Sequence, residues 1–153
     1  MNRLVVAVVL AAVAVASAAL ARRRQAAEAP TQPTSGWVAP AQLDRADFTR
    51  PDAPWLVALF TSATCDSCRS TVDKARVLDS HDVAVEVVDA VAGKPVHARY
   101  RIEAVPIVCI ADHAGVVVRS FIGPVTATDL WAAVAEARDP DTNLPQSCHE
   151  HHE

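Results

Sequence analysis

Residues 55–68 read WLVALFTSATCDSC, and the change of pattern inside this stretch decides the fold. Its first half, Trp55 to Thr61, is a nearly continuous apolar run of strand length, which is typical of a strand buried on both faces of a sheet. Beyond it, cysteines and small apolar residues recur at helical spacing, at Cys65, Cys68, Val72 and Ala75. The sequence therefore predicts a buried strand followed directly by a helix that carries two cysteines in its first turn.

Further strands and helices are predicted on either side of this stretch. Val83 to Asp89 is rich in β-branched residues and reads as a second strand. Pro95 is favoured in a first helical turn, so a short helix is expected from there to Tyr100. Upstream, Leu43 to Phe48 suggests a short helix behind a brief strand near Trp37 and Val38.

The last part of the globular region reads as a hairpin followed by a helix. Pro106 to Ala111 and Val116 to Phe121 are strand-like segments on either side of a turn-like link. Thr126 and Asp129 can form a capping-box-like helix start. One face of that helix is apolar, at Leu130, Ala133, Val134 and Ala137. The predicted order, β-α-β-α-β-α-β-β-α, indicates an α/β protein with a central mixed sheet flanked by helices.

Length and composition limit the class of protein. With 153 residues, the chain has room for one ordinary domain and its attachments. The formal net charge of -4, with no basic cluster after residue 24, argues against nucleic-acid binding, which needs a basic face. The four cysteines, Cys65, Cys68, Cys109 and Cys148, are too few and too scattered for a disulfide-framed scaffold.

The N-terminal residues 1–24 are expected to attach the protein to a membrane as one transmembrane helix. Leu4 to Ala21 is a run of eighteen uncharged residues, and Arg22 to Arg24 end it. A cleaved signal peptide is the competing interpretation, although the three arginines oppose export. The same arginines outweigh Arg3 and favour a cytoplasmic globular domain, with an extracytoplasmic domain as the alternative.

The rest of the chain divides into a linker, a domain and a tail. Residues 25–36 are polar and rich in Ala, Pro, Thr and Ser, so they are expected to be a flexible linker. The globular domain is assigned to residues 37–138. Asp139-Pro140 ends the last helix, and residues 139–153 are then expected to form a disordered tail that contains cysteine and histidines.

The pair Cys65 and Cys68 carries the predicted chemistry. At a helix start, unpaired amides and the helix dipole stabilise a thiolate, which is the attacking species in disulfide exchange. A second sulfur one turn later can attack the mixed disulfide and release the product. Half of a zinc site and a purely structural disulfide are the alternatives, but no second Cys-x-x-Cys is present and a loop this short restricts the unfolded chain little.

Two separate motifs make residues 37–138 resemble the thioredoxin family. They are WLVALFTSATCDSC at residues 55–68 and ARYRIEAVPIVCIADHAGVVVRSFIG at residues 98–123, in the family's order. The resemblance implies a thioredoxin-like fold and a disulfide oxidoreductase whose catalytic, redox-active pair is Cys65 and Cys68. It also implies that Val105-Pro106 is a cis peptide bond that lies against this pair and shapes the substrate groove.

The sequence departs from the family's pattern at the active site. The turn reads Thr64-Cys65-Asp66-Ser67-Cys68, without the family's aromatic residue, glycine and proline. Leu59 stands six residues before the first cysteine, where thioredoxins carry a buried acid. Glu86 is a candidate replacement as proton relay, and a solvent-facing strand residue is the alternative. These departures favour a dedicated, partner-specific role.

The sequence thus predicts a membrane-anchored thiol–disulfide oxidoreductase that acts on protein dithiols or disulfides, as a monomer and without a dissociable cofactor. One alternative is a metal-binding or metal-delivery protein that uses the cysteine pair and the tail. The weak metal candidates in that tail are Cys148, His149, His151 and His152. Another alternative is a redox-silent interaction module with the same fold. Cys109, inside an apolar strand, is expected to be a buried thiol.

Overall fold

A computed structural model describes residues 36–140 of the protein. Over these residues the helices and strands follow in the order β1 (Trp55–Thr61), α1 (Asp66–Arg76), β2 (Val83–Asp89), α2 (Lys94–Arg99), β3 (Ile107–Ala111), β4 (Val117–Ile122) and α3 (Ala127–Arg138). A short 3₁₀ helix, Arg45–Asp47, precedes β1. From Trp55 onward, each predicted helix and strand is present with its ends within about two residues of the predicted ones.

The four strands form one mixed sheet in the order β2-β1-β3-β4. β1 runs parallel to β2, whereas β3 is antiparallel to both β1 and β4. The five residues from Leu56 to Phe60 are completely buried because β1 has a strand on each side and helices over both faces. The predicted α/β class with a central mixed sheet is therefore confirmed.

The alternation of side chains along β1 divides the core into two layers. Leu56 and Phe60 belong to the layer that packs with the 3₁₀ helix region and α2. Val57 and Leu59 belong to the layer covered by α1 and α3. Leu59 is thus an ordinary core residue, in agreement with its apolar character.

The cap predicted for the last helix is present. Thr126 Oγ1 accepts a hydrogen bond of 3.1 Å from the Asp129 amide. Leu130, Ala133 and Val134 are buried on the face that packs against the sheet. The cap and the apolar face therefore start α3 and hold it over β1 and β3.

The segment before β1 differs from the prediction. The helix expected over Leu43 to Phe48 is only a 3₁₀ turn, and the strand expected near Trp37 and Val38 is wrong. Trp37 and Val38 are 45% and 82% exposed, so burial does not hold them against the sheet. Instead the next residues pair with the β3–β4 turn: the Leu43 amide donates to the Gly115 carbonyl at 2.8 Å. Complete burial of the Leu43 side chain stabilises this arrangement.

Several sequence predictions lie outside the described residues. They are the membrane anchor at residues 1–24, the linker up to residue 35, and the tail from residue 141 onward. Within residues 36–140, no helix has both the length and the apolar character needed to cross a membrane.

Candidate active site

The cysteine pair lies where β1 passes into α1. Cys65 is the N-cap residue of α1 and has extended backbone angles, φ -97° and ψ 109°. Its Sγ accepts a hydrogen bond of 3.2 Å from the Cys68 amide in the first turn. A disulfide bond joins the two residues. The predicted strand-to-helix turn with both cysteines at the helix start is therefore present, in its oxidised form.

The two sulfurs differ in exposure. Cys65 is half-buried and faces the surface, whereas Cys68 is only 3% exposed. An incoming sulfur can therefore reach Cys65 but not Cys68. Because the Cys68 amide and the positive end of the α1 dipole both point at the Cys65 sulfur, the reduced form of Cys65 is stabilised as a thiolate.

The residues predicted to shape a substrate groove lie next to this sulfur. The Val105–Pro106 peptide bond is cis, as the resemblance implied. The Val105 carbonyl oxygen lies 3.9 Å from Cys65 Sγ. On the other side of the bond, the Pro106 carbonyl accepts a hydrogen bond of 2.8 Å from Gly123. The chain before β3 is thus fixed beside Cys65.

Ser67 also contacts the Cys65 sulfur. Its Oγ lies 3.5 Å from Cys65 Sγ. A hydroxyl at this distance can donate a hydrogen bond to a thiolate, in addition to the bond from the Cys68 amide. The unusual dipeptide of this turn therefore places a polar group on the sulfur that is expected to react.

Glu86 is not brought to the cysteines. It lies on β2 opposite Ala58, and its carboxylate accepts a hydrogen bond from Thr49. Val87 and Asp89, further along β2, line the groove that contains both cysteines. Since Val87 and Glu86 point to opposite faces of the sheet, Glu86 faces away from that groove. Its role as a proton relay stays a prediction that no described contact supports.

Asp89 is the acidic residue that the structure does bring to this groove, and sequence reasoning missed it. The Val91 and Ala92 amides donate to its carboxylate at 2.8 and 3.3 Å, and these bonds lower the pKa of Asp89. A hydrogen bond from the Ala63 amide, in the turn before Cys65, also lowers the pKa of Asp89. The sequence did contain a signal for this position. Asp89 is the last residue of β2, and the carboxyl ends of parallel strands meet at one edge of a sheet, so Asp89 had to lie near the end of β1 and the turn that follows it.

Cys109 is fully buried in β3 and is a free thiol. Loss of hydration on burial raises the pKa of Cys109 to about 12, because a thiolate would be an uncompensated charge in the core. The predicted buried thiol is therefore confirmed, and Cys109 takes no part in the site.

This difference between cysteines predicts selective alkylation. In the reduced native protein at about pH 8, we expect iodoacetamide to modify Cys65 at least roughly a hundredfold faster than Cys109. Cys109 remains a protonated thiol at every pH below its raised pKa. It is also completely buried, so the reagent cannot reach it in the folded protein. Peptide mass spectrometry over a time course reads each cysteine separately. Similar rates for both residues in urea provide the control, and similar rates in the native protein would contradict the assignment.

The described residues contain no cluster of three or more His, Cys, Asp or Glu side chains that could hold a metal ion. The candidate tail ligands Cys148, His149, His151 and His152 lie outside residues 36–140. A metal site at Cys65 and Cys68 would need the two thiols in their reduced form and further ligands from elsewhere.

Comparisons with known proteins agree with the fold. No protein-family model and no curated protein sequence matches the chain. Among solved structures, thioredoxin f from spinach chloroplast is similar with a TM-score of 0.51 and 18% sequence identity, over 67% of this chain and 99% of that one. Thioredoxin from Fasciola hepatica is 22% identical, with a TM-score of 0.49, over 57% of this chain and 84% of that one.

The similarity to thioredoxin f shows the fold, and the cysteine pair adds the chemistry of the site. The chain has a thioredoxin-like fold, and Cys65 and Cys68 form a redox-capable pair at the start of α1. At the general level this combination supports a thiol–disulfide oxidoreductase.

Proposed function

We propose that the protein transfers disulfide bonds to or from other proteins, with Cys65 as the nucleophile and Cys68 as the resolving cysteine. The observation that carries the proposal is the disulfide at the start of α1, in which one sulfur is accessible and the other is buried. A purely structural disulfide would not need an accessible sulfur that accepts a hydrogen bond from a helix-terminal amide.

The reduction of a substrate follows from this asymmetry. The Cys65 thiolate attacks one sulfur of the substrate disulfide; that S–S bond breaks, and the departing substrate thiolate takes up a proton from solvent. Cys68 then loses its proton and attacks Cys65 Sγ. The second substrate thiol leaves, and the Cys65–Cys68 disulfide forms. Two electrons pass from the cysteine pair to the substrate, and the reverse sequence oxidises a substrate dithiol.

The backbone around Val105 and Pro106 is proposed to hold the substrate. An extended segment that pairs with the Val105 main chain would bring its cysteine next to Cys65, whose sulfur lies 3.9 Å from the Val105 carbonyl oxygen. Main-chain pairing of this kind recognises extended polypeptide and tolerates many side chains, which suits a protein substrate.

Residues 1–24 are proposed to tether this activity to a membrane. The support is the uncharged run from Leu4 to Ala21, followed by Arg22 to Arg24. The positive charge next to the domain is larger than that at the N-terminus, and this favours a cytoplasmic domain. A membrane-impermeant thiol reagent applied to intact cells should then spare Cys65, whereas a permeant reagent should modify it.

Substrate trapping tests the proposed function. In cells that make the Cys68→Ser variant, the mixed disulfide between Cys65 and the substrate can no longer be resolved. We expect covalent adducts that dithiothreitol releases and that non-reducing electrophoresis separates from the free chain. The Cys65→Ser,Cys68→Ser double variant is the matched control and should form none. The absence of adducts from Cys68→Ser, with Cys65 reactive toward iodoacetamide, would contradict the proposal.

A further inference from the structure

A second surface groove lies between α1 and α3, apart from the one that contains both cysteines. Its apolar lining comes from Val77, directly after α1, and from Ala127 and Trp131 on α3. Val77 is 70% exposed and Trp131 is 42% exposed, so a binding partner can reach both side chains. We call this surface the α1–α3 groove.

The two large apolar residues of the α1–α3 groove lie outside the core. α3 packs on the sheet through Leu130, Ala133 and Val134, and Trp131 is not on this buried face. Val77 belongs to neither layer of the core. Single exposed apolar residues are common on protein surfaces, but two of them that line one groove form a local apolar surface suited to binding.

The indole ring of Trp131 is held in a fixed position. Its Nε1–H donates a hydrogen bond of 3.0 Å to the carbonyl of Lys74, one of the last four carbonyls of α1, which cannot all be satisfied within the helix. In turn, Lys74 Nζ donates a hydrogen bond of 3.0 Å to the Val125 carbonyl, just before α3. An aromatic ring fixed in this way loses little conformational entropy when a partner covers it, which favours tight binding.

The α1–α3 groove and the groove with the cysteines share one wall. Asp66, Arg69 and Asp73 line both grooves, and all three are exposed on α1. They belong to the first two turns of the helix that Cys65 caps. The surface that begins at the Cys65 sulfur therefore continues across the exposed side of α1 to Trp131, with charged residues as its rim.

The α1–α3 groove is within reach of a protein that reacts at Cys65. Lys74, which accepts the bond from Trp131, lies roughly 14 Å from Cys65 along α1, at about 1.5 Å per residue. A standard interface covers about 800 Å² of each partner, which is a patch roughly 32 Å wide. A protein centred on Cys65 therefore reaches Trp131, and a contact elongated along α1 includes Val77. A small disulfide bound at Cys65 reaches neither residue.

We propose that the α1–α3 groove binds the protein substrate, as a second contact beside the reaction at Cys65. This proposal rests on the proposed function, because the occupant is the protein whose disulfide or dithiol reacts with Cys65. The substrate inserts an apolar side chain between Val77 and Trp131, and its polar groups meet the charged rim on α1. Such a contact selects among protein substrates, in line with the partner-specific role expected from the unusual active-site turn.

The position of the groove favours the substrate over the chain's own C-terminal residues. Those residues continue from Pro140, beyond the far end of α3, and Pro140 lines a different groove together with Val118 and Ala137. The α1–α3 groove instead reaches the first turns of both helices, at Asp66 and Ala127. Its rim is shared with the site where the substrate must dock.

Substrate trapping in cells tests the proposed contact. Three full-length chains are compared: Cys68→Ser alone, Cys68→Ser with Trp131→Ser, and Cys68→Ser with Trp37→Ser. Trp37 is the matched control, because it is 45% exposed but lines neither groove. We expect Trp131→Ser to lower the yield of mixed disulfides with other proteins at least about fivefold, and Trp37→Ser to change it by less than about twofold.

Glutathione disulfide, a small probe that reaches Cys65 alone, separates loss of docking from a change at the cysteines. The reduced forms of the three purified chains should react with it at equal rates. Equal adduct yields in cells overturn the proposed contact but leave the proposed function intact. No adducts from Cys68→Ser alone contradict the proposed function, and the contact with it. A fall in both the adduct yield and the glutathione disulfide rate would mean that Trp131 acts through the structure of α1, which also overturns the proposal.

A second variant, Val77→Lys in the Cys68→Ser chain, repeats the test with little effect on folding. Val77 is exposed at the C-terminal end of α1, where a positive charge is favourable to the helix dipole. A charge in the apolar part of the groove should lower the adduct yield as Trp131→Ser does. Val118→Lys, at a 47% exposed valine of β4, is the matched control and should not. Unchanged yields from Val77→Lys, or adducts that contain only two copies of this chain, overturn the proposal.

Discussion

A Cys65→Ser variant is expected to lose roughly a thousandfold or more of its disulfide-exchange rate, because a hydroxyl cannot replace a thiolate as nucleophile or as partner in a disulfide. The measurement is the initial rate at which dithiothreitol reduces a disulfide-bonded model protein in the presence of each variant. Since Cys68 is buried, it cannot take over the attack on a protein substrate. The residual rate should therefore equal that of dithiothreitol alone.

Cys109→Ala is the matched control for this loss. Cys109 is another cysteine of the same domain, but it is a free thiol buried in β3 and it stays protonated. We expect its exchange rate to remain within about twofold of the wild type, since alanine removes only one buried atom with a modest cost in packing. Activity that survives in Cys65→Ser, or that disappears in a folded Cys109→Ala chain, would contradict the assigned roles.

A Phe60→Ala variant is expected to lose about 3–5 kcal/mol of unfolding free energy, the largest stability effect of any single truncation proposed. Phe60 is completely buried at the end of β1. Its ring packs edge-on against the rings of His97 and Tyr100, with centroids 5.4 and 6.0 Å away. Removal of the ring leaves a cavity between β1 and α2, directly before the turn that carries Cys65. Urea unfolding followed by tryptophan fluorescence measures the loss.

Phe121→Ala provides the comparison for Phe60→Ala. Phe121 undergoes the same chemical change but is only half-buried on β4, so its truncation removes less buried area and opens part of the site to water. We expect a loss clearly smaller than that of Phe60→Ala. Equal losses would mean that burial at the end of β1 does not determine stability here.

The sequence by itself determined the features that depend on neighbours along the chain. The apolar run from Trp55 to Thr61 required a buried strand, and helical spacing after Cys65 required a helix with both cysteines at its start. The Thr126 cap is likewise a local signal, because its hydroxyl bonds an amide three residues away. Each of these patterns stabilises one local structure before any distant contact forms, which is why they could be read correctly.

Only the tertiary structure decided the features that depend on which distant segments meet. Strand alternation turned Glu86 away from the cysteines, whereas the parallel register of β1 and β2 brought Asp89 to them. Pairing of Leu43 with Gly115 replaced the strand expected near Trp37. Pairing partners and register are set by the burial and hydrogen bonding of residues far apart in sequence, which local patterns do not specify.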